Sequence, residues 1–333
     1  MDPTWPDPLC DFLHTSNQTV KVNRELCQFV NVNLEVSIQK ASWGSRTQWV
    51  QLAGHEGSVI SNGRGSVLKQ YSAHEARCLR ELQSDRLSSY VPTYQGDVVL
   101  DGKCYIQMCD LLFNLASPSV MDCKMGQRTY VEDEVCQNAD GLCLRSDLYI
   151  KMMEIDPLAP TAEEHFVRAV TKLRYMQWRE SITSTTDYGF RIEAIKKSDD
   201  AAQRSFKQCR SWTQIRHLFM DFVRSDRLVV ERYLSELIRL REALSSSEFF
   251  RQHDVIGSSL LFAHDSLGSV HVWMIDFGKT IRLPHDVLID HRTKWFLGNH
   301  EDGYLVGVDN LILLFRELLR ATSDQALCYK NIV

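Results

Sequence analysis

No two of the ten cysteines stand in a CxxC arrangement or at zinc-finger spacing, which argues against a cysteine-held metal cluster. They are scattered through apolar stretches, as expected of reduced thiols in the cytosol. No apolar run approaches the length that spans a bilayer, and the longest, around Leu311 to Phe315, belongs to an amphipathic pattern. The opening MDPTWPDPLCDF has neither a basic n-region nor an apolar h-region, so no signal peptide is expected. An excess of charge is also missing. The formal net charge is −5, which argues against a general nucleic-acid partner. Neither an internal repeat nor a low-complexity tract is present. These absences together predict a soluble, cytoplasmic protein with no membrane span.

What the chain does have is apolar surface: with 333 residues, 44% of them hydrophobic, it can bury an enzyme-sized core, read here as a two-lobed unit. Residues 1–40 are polar and weakly periodic and read as a tail. From Trp49 to about Asp110, Gly54, Gly57, Gly63 and Gly65 punctuate short apolar runs, which predicts strands, one of them ending at Lys69. A helix is expected between Ala73 and Ser84, and strands near Val98–Leu100 and Tyr105–Cys109. Beyond Lys124 the pattern turns helical. Thr161 reads as an N-cap and Glu164 as its capping-box partner, opening a helix expected to run to about Ser181. Further helices are expected over 213–224, 227–246 and 303–321.

Two segments carry the chemistry. In PSVMDCKMG (118–126), Asp122 and Lys124 alternate with Met121, Cys123 and Met125, so on a strand both charges face one side. Such a pair is either a strand-edge ion pair or a device for handling a charged molecule. In VHVWMIDFGKT (270–280), a buried strand delivers Asp276 to a glycine turn, a suitable place to hold Mg²⁺ against nucleotide phosphates. A third feature is electrostatic. Residues 168–217 hold eleven Lys or Arg against five Asp or Glu, a local balance of +6 inside a chain whose remainder carries −11. Three phosphomonoesters would carry about −4.5 to −6, which is comparable. In this stretch Lys172, Tyr175 and Arg179 share one helical face, and the alternative to a polyanion site is a solvated basic surface.

PSVMDCKMG fits the PxxxDxKxG signature of the inositol polyphosphate kinases, and SSLL at 258–261 with IDFGKT at 275–280 is similar to their C-terminal motifs. WVQLAGHEGS, DCKMGQRTY, TKLRYMQWRE, FRIEAIKK and EDGYLVGVDNL resemble the inositol 1,4,5-trisphosphate 3-kinase branch of that family, over about Trp49 to Leu319. The resemblance implies an α+β fold: a two-lobed, protein-kinase-like core related to ATP-grasp enzymes, with a helical inositol-binding insertion. It divides the chain into a variable tail (1–47), a β-rich N-lobe with the DxKxG motif (48–143), a helical lobe (144–210) and a C-lobe (211–333). The implied activity is ATP- and Mg²⁺-dependent phosphorylation of the 3-hydroxyl of inositol 1,4,5-trisphosphate.

Carried over residue by residue, the resemblance puts Ser58 and Lys69 at the ATP phosphates and Cys109, Asp110 and Leu111 at the adenine hinge. Asp122 falls near the nucleotide, where it either positions ATP or assists deprotonation. Lys124 falls between the transferring phosphate and the inositol. Ser259 and Asp276 match metal-side positions, while Arg145, Lys172, Tyr175, Arg179 and Lys196 match positions that bind substrate phosphates. The alternatives are a broader-specificity inositol phosphate multikinase and a non-catalytic inositol phosphate-binding module. DFG at 276–278 also suits a protein kinase, but the chain lacks a GxGxxG loop, and Asp290-His291-Arg292 lies after Asp276, in the wrong order for that family. Relatives commonly carry a calmodulin-binding helix before WVQLAGH. Residues 34–49 hold only Lys40 and Arg46 as cations and contain Gly44, so calmodulin control is expected to be weak or absent.

Overall fold

The computed structural model describes residues 59–136, 143–198, 200–204, 206 and 208–330. The tail, Ser58 and the segment read for calmodulin lie outside the described residues. In chain order the first lobe contains β1 (Val59–Ser61), β2 (Ser66–Gln70), α1 (Ala73–Leu82), β3 (Tyr94–Leu100) and β4 (Lys103–Cys109). Its antiparallel sheet runs β1-β2-β4-β3, and Ser72 caps α1 by accepting a hydrogen bond from the Glu75 amide. This is the strand-and-helix order that the glycine-punctuated sequence predicts.

Next come β5 (Ser119–Met125), α2 (Glu132–Cys136), β6 (Leu144–Arg145), α3 (Ser146–Ile155), α4 (Ala162–Val167), β7 (Val170–Thr171), α5 (Lys172–Ile182), α6 (Thr185–Tyr188) and β8 (Phe190–Lys196). The chain continues with α7 (Trp212–Phe222), α8 (Arg227–Ser246), α9 (Glu248–Arg251), β9 (His253–Asp254), β10 (Ser259–His264), β11 (Val270–Ile275), β12 (Ile281–Arg282) and α10 (Tyr304–Lys330). The second sheet is antiparallel in the order β11-β10-β5-β8. β5, grouped with the N-lobe in the sequence reading, is thus hydrogen-bonded into the second sheet, and β8 leaves the helical lobe to join it. Backbone pairing between segments far apart in the chain produces this arrangement, and strand patterning does not encode it.

The alternation in β5 decides what faces what. Met121, Cys123 and Met125 point into the main core with Leu260 and the rings of Phe262, Phe219, Tyr233 and Phe315, where Phe219 meets Phe262 and Phe315 edge-on and Phe262 stacks on Phe315. Val120, Asp122 and Lys124 therefore face the opposite side, where Val120 joins Ala194, Leu261 and Ala263 in a smaller cluster. The final glycine of PxxxDxKxG serves a close approach. Gly126 has φ +94°, and a Cβ there would stand 2.9 Å from the Asp302 carbonyl oxygen.

The helix expected from Thr161 to Ser181 is two helices. The predicted capping box is present, with the Glu164 amide donating to Thr161 Oγ1 at 3.2 Å and the Thr161 amide to the Glu164 carboxylate at 2.8 Å. But Arg168 adopts φ +52°, β7 intervenes, and Thr171 caps a fresh start by accepting from the Arg174 amide. Thr171 was read as an interior residue. A side-chain oxygen at such a position suits a new N-cap equally well, and tertiary packing selects that role.

Candidate active site

Lys69 leaves β2 toward the mouth between the sheets, where its Nζ donates to Glu75 Oε1 at 2.7 Å and to Asp276 Oδ1 at 2.5 Å. Burial by itself would depress its pKa, but Asp276 and Glu75 outweigh burial and hold the ammonium above its ordinary value. Glu75 is buried on the inner face of α1 and also accepts from the Phe277 amide at 3.2 Å. It thereby ties α1 to the turn after β11. Asp276 sits in that turn at φ +66°, an unusual conformation for a residue other than glycine and one that tertiary contacts must hold. Although burial opposes ionisation, Lys69 and Lys124 keep its carboxyl below the usual range.

Register completes the cluster. Lys124 lies opposite Ser259 on β10 and Arg191 on β8, and Ser259 lies opposite Ile275, the residue before Asp276. Lys124 Nζ donates to the Gly257 carbonyl at 2.7 Å. Asp122 is buried and its pKa is pushed up to about 6, chiefly by loss of water, with Asp276 and Glu193 adding repulsion against the attraction of Lys124. Its Oδ1 and the Ser259 hydroxyl are both buried without a well-formed hydrogen bond among the described residues, although the hydroxyl is near enough to pull the carboxyl's pKa down against burial. Buried orphan oxygens of this kind beside Asp276 fit a hard divalent cation bound by oxygen. No group of three or more His, Cys, Asp or Glu among the described residues could hold a metal unaided.

Two connected clefts meet at Lys69, Glu75 and Asp276. One is apolar, lined by Val67, Met108, Leu261, Ile275 and Phe277, and edged by Cys109, Asp110 and Leu111. The other is polar, with Lys124, Arg191, Met176, Gly257 and Lys279 in its wall.

The expected anion-binding residues divide. Arg179 donates to Glu193 Oε2 at 2.8 Å, and the same carboxylate accepts from Arg191 at 2.8 Å. Burial works against ionisation of Glu193, but Arg191 and Arg179 overcome it and lower the pKa. Lys172 is held at 2.5 Å by Glu134. Tyr175, by contrast, is buried in the core of the helical lobe with Leu148, Met152, Val170 and Trp178, and Met176 reaches the cleft in its place. Arg145 is exposed, forks onto Asp147 at 2.7 and 2.8 Å, and is not among the residues lining either cleft. Lys196 lies opposite Val120, four residues from Lys124 along β5, or about 13 Å.

Glu75, Lys279, Glu193 and Glu134 were missed as site residues, and Arg191 was seen only as part of the basic stretch, with no role of its own. Lys279 follows the glycine of IDFGKT, and that position was its only signal. Glu193 alternates with apolar residues in FRIEAIKK, a pattern that a lone carboxylate on a half-buried strand also gives. Glu75 looked like an ordinary first-turn helix acid.

A model of the inositol polyphosphate kinase family matches residues 105–316. The chain is 52% identical to human inositol-trisphosphate 3-kinase A over 82% of its own length and 59% of that protein's. To human inositol-trisphosphate 3-kinase C it is 48% identical, over 82% of its own length and 40% of that protein's. It therefore spans about half the length of these relatives. Among solved structures it resembles inositol phosphate multikinase Ipk2 of S. cerevisiae in complex with ADP and Mn²⁺, with a TM-score of 0.51 at 16% identity, covering 77% of this chain and 99% of that one. The motifs of β5, β10 and β11, brought together by register, and the family match over most of the chain lead to one assignment: this protein belongs to the inositol polyphosphate kinase family.

Proposed function

We propose that the protein transfers the terminal phosphate of ATP to the 3-hydroxyl of inositol 1,4,5-trisphosphate. The observation that carries this is the meeting of the apolar and the cationic cleft at Lys69, Glu75 and Asp276, with Lys124 in the wall of the cationic one, together with about 50% identity to inositol-trisphosphate 3-kinases. In this reading the apolar cleft takes adenine against Cys109–Leu111, and the Lys69 ammonium, braced by Glu75, meets the phosphates. Asp276, Ser259 and Asp122 would hold Mg²⁺. When bound, that ion would neutralise charge on the transferring phosphate.

Phosphoryl transfer asks for in-line positioning and charge neutralisation, with little covalent work from the protein. Lys124 stands in the wall of the cationic cleft, close enough to Asp276 to lower its pKa, and supplies a point charge to the moving group. Its bond to the Gly257 carbonyl fixes the ammonium's direction. Lys172, Lys279 and Arg179 present donors for the ring phosphates, with Arg179 able to fork and the lysines acting as single charges. Glu193 positions Arg179 and Arg191 without itself touching substrate. Calmodulin control is proposed to be weak or absent, on the composition of residues 34–49. The test is to incubate the purified protein with ATP, Mg²⁺ and a panel of inositol phosphates and identify the product isomers. A single 1,3,4,5-tetrakisphosphate product supports the reading. Comparable turnover of several inositol phosphates would favour a multikinase, and binding without ATP consumption would favour a non-catalytic module.

A further inference from the structure

The residue to consider is Glu134, on the short helix α2 after β5. Its Oε1 accepts from Lys172 Nζ at 2.5 Å and from Lys279 Nζ at 3.1 Å, while Oε2 lies 3.3 Å from Lys279 and 3.2 Å from the Val131 amide. The two lysines come from separate parts of the fold, one opening α5 and the other following the Asp276 turn. Lys172 stands at the start of a helix, where the macrodipole disfavours a cation, so its placement calls for an anion. The carboxylate is largely buried, with 15% of its side chain exposed, whereas the lysines keep 44% and 38% exposed and remain open to a ligand.

Charge counting sets up a competition. Two ammoniums and one carboxylate leave +1. A phosphomonoester dianion would match the two ammoniums alone, but with the carboxylate in place it would leave the cluster at −1 and meet like-charge repulsion. We infer that Glu134 is an affinity- and specificity-setting residue: in the ligand-free protein its carboxylate occupies the place between Lys172 and Lys279 that one substrate phosphate takes. This rests on the proposed trisphosphate substrate. It adds that each binding event must displace an internal anion, so that only a ligand with a phosphate at that point gains both lysines. Burial by itself opposes ionisation of Glu134, yet its contacts with Lys172 and Lys279 keep its pKa lowered, so the competitor is charged at neutral pH.

Glu134→Gln keeps the shape and removes the charge. The KM for inositol 1,4,5-trisphosphate should fall about three- to tenfold, the scale of one partly exposed charged contact, while the KM for ATP stays unchanged. Repeating the assay with the three inositol bisphosphates that each lack one phosphate identifies the subsite, because the gain should vanish for one of them. Glu134→Asp, which keeps the charge on a shorter stem, should not lower the KM for inositol 1,4,5-trisphosphate. An unchanged or raised KM in a Glu134→Gln protein with normal melting would overturn the inference, since Glu134 would then merely brace the lysines. An equal gain for every ligand would also overturn it, reducing the effect to a general field. If the wild-type protein turns over none of these compounds, the functional reading fails. Calorimetric titration with inositol 1,4,5-trisphosphate alone then decides between tighter binding by Glu134→Gln and the opposite.

Discussion

Asp122→Asn should make the protein more stable and less active at once. The native pKa is raised from 3.8 to about 6 because the carboxyl is buried, so keeping it ionised near neutral pH costs about 3 kcal/mol at about 1.4 kcal/mol per unit. The sign follows from linkage. A carboxyl whose native pKa lies above its unfolded one costs nothing below about pH 4, costs progressively more between pH 4 and 6, and bears the full penalty above that. Asparagine removes the charge but buries an amide that also wants partners, which takes back about 1–2 kcal/mol. The expected net gain at pH 7.5 is about 1–2 kcal/mol, or about 2–6 °C in melting temperature, reversing to a loss of about 1–2 kcal/mol at pH 4, where only the cost of the buried amide remains. Turnover should fall about 100-fold or more, because a carboxylate kept buried and ionised at such cost beside Asp276 is placed for the reaction. Differential scanning fluorimetry across pH 4–8 and steady-state kinetics on the same preparations provide the measurements. A variant melting below wild type at pH 7.5, or one retaining near-normal turnover, would refute the reasoning.

Three further outcomes follow from the same contacts. Lys124→Ala or Asp276→Asn should abolish turnover while the melting transition stays cooperative, and near-normal turnover by either would remove the role assigned to it. Glu193→Gln releases Arg179 and Arg191 together, so the KM for the inositol substrate should rise about tenfold with that for ATP little moved; equal changes in both would point to general loosening. His291 is buried between the Asp302 carboxylate at 2.9 Å and the Phe250 carbonyl at 2.9 Å, and both ring nitrogens therefore donate. Burial opposes that charge, but Asp302 outweighs it and holds the pKa above 6.5. The clasp contributes fully below pH 6.5 and is lost as pH rises through the raised native value. Wild type should accordingly lose more stability than His291→Gln between pH 6 and 9, and parallel melting curves would contradict this.

Much of the site was legible because its motifs are local. An isolated Asp-x-Lys on an apolar strand and an acid at the end of a buried strand are each visible within ten residues, and Asp122, Lys124 and Asp276 do converge. The capping box at Thr161 was legible for the same reason. What escaped were the partners. Glu75, Glu193 and Glu134 each act by accepting from cations brought close by the fold, and their local sequence is that of any surface acid. Tyr175 shows the converse error: helical spacing correctly put it on the face of Lys172 and Arg179, yet aromatic bulk placed it in the core of the helical lobe, against Trp178.

By itself the chain's order of residues determined the strands and helix of the first lobe, the helices α7, α8 and α10, which face of β5 carries charge, and which family motifs are present, since all of these depend on near neighbours and on side-chain period, whereas β8 and β10 fall in a stretch whose pattern reads as helical. Tertiary structure alone decided that β5 pairs with β10 and β8, that Arg168 breaks one expected helix into two, and that each cation of the cleft meets a particular carboxylate. Those outcomes depend on backbone hydrogen bonding and Coulomb attraction between groups remote along the chain, and such terms act only once the core has closed and water has been excluded.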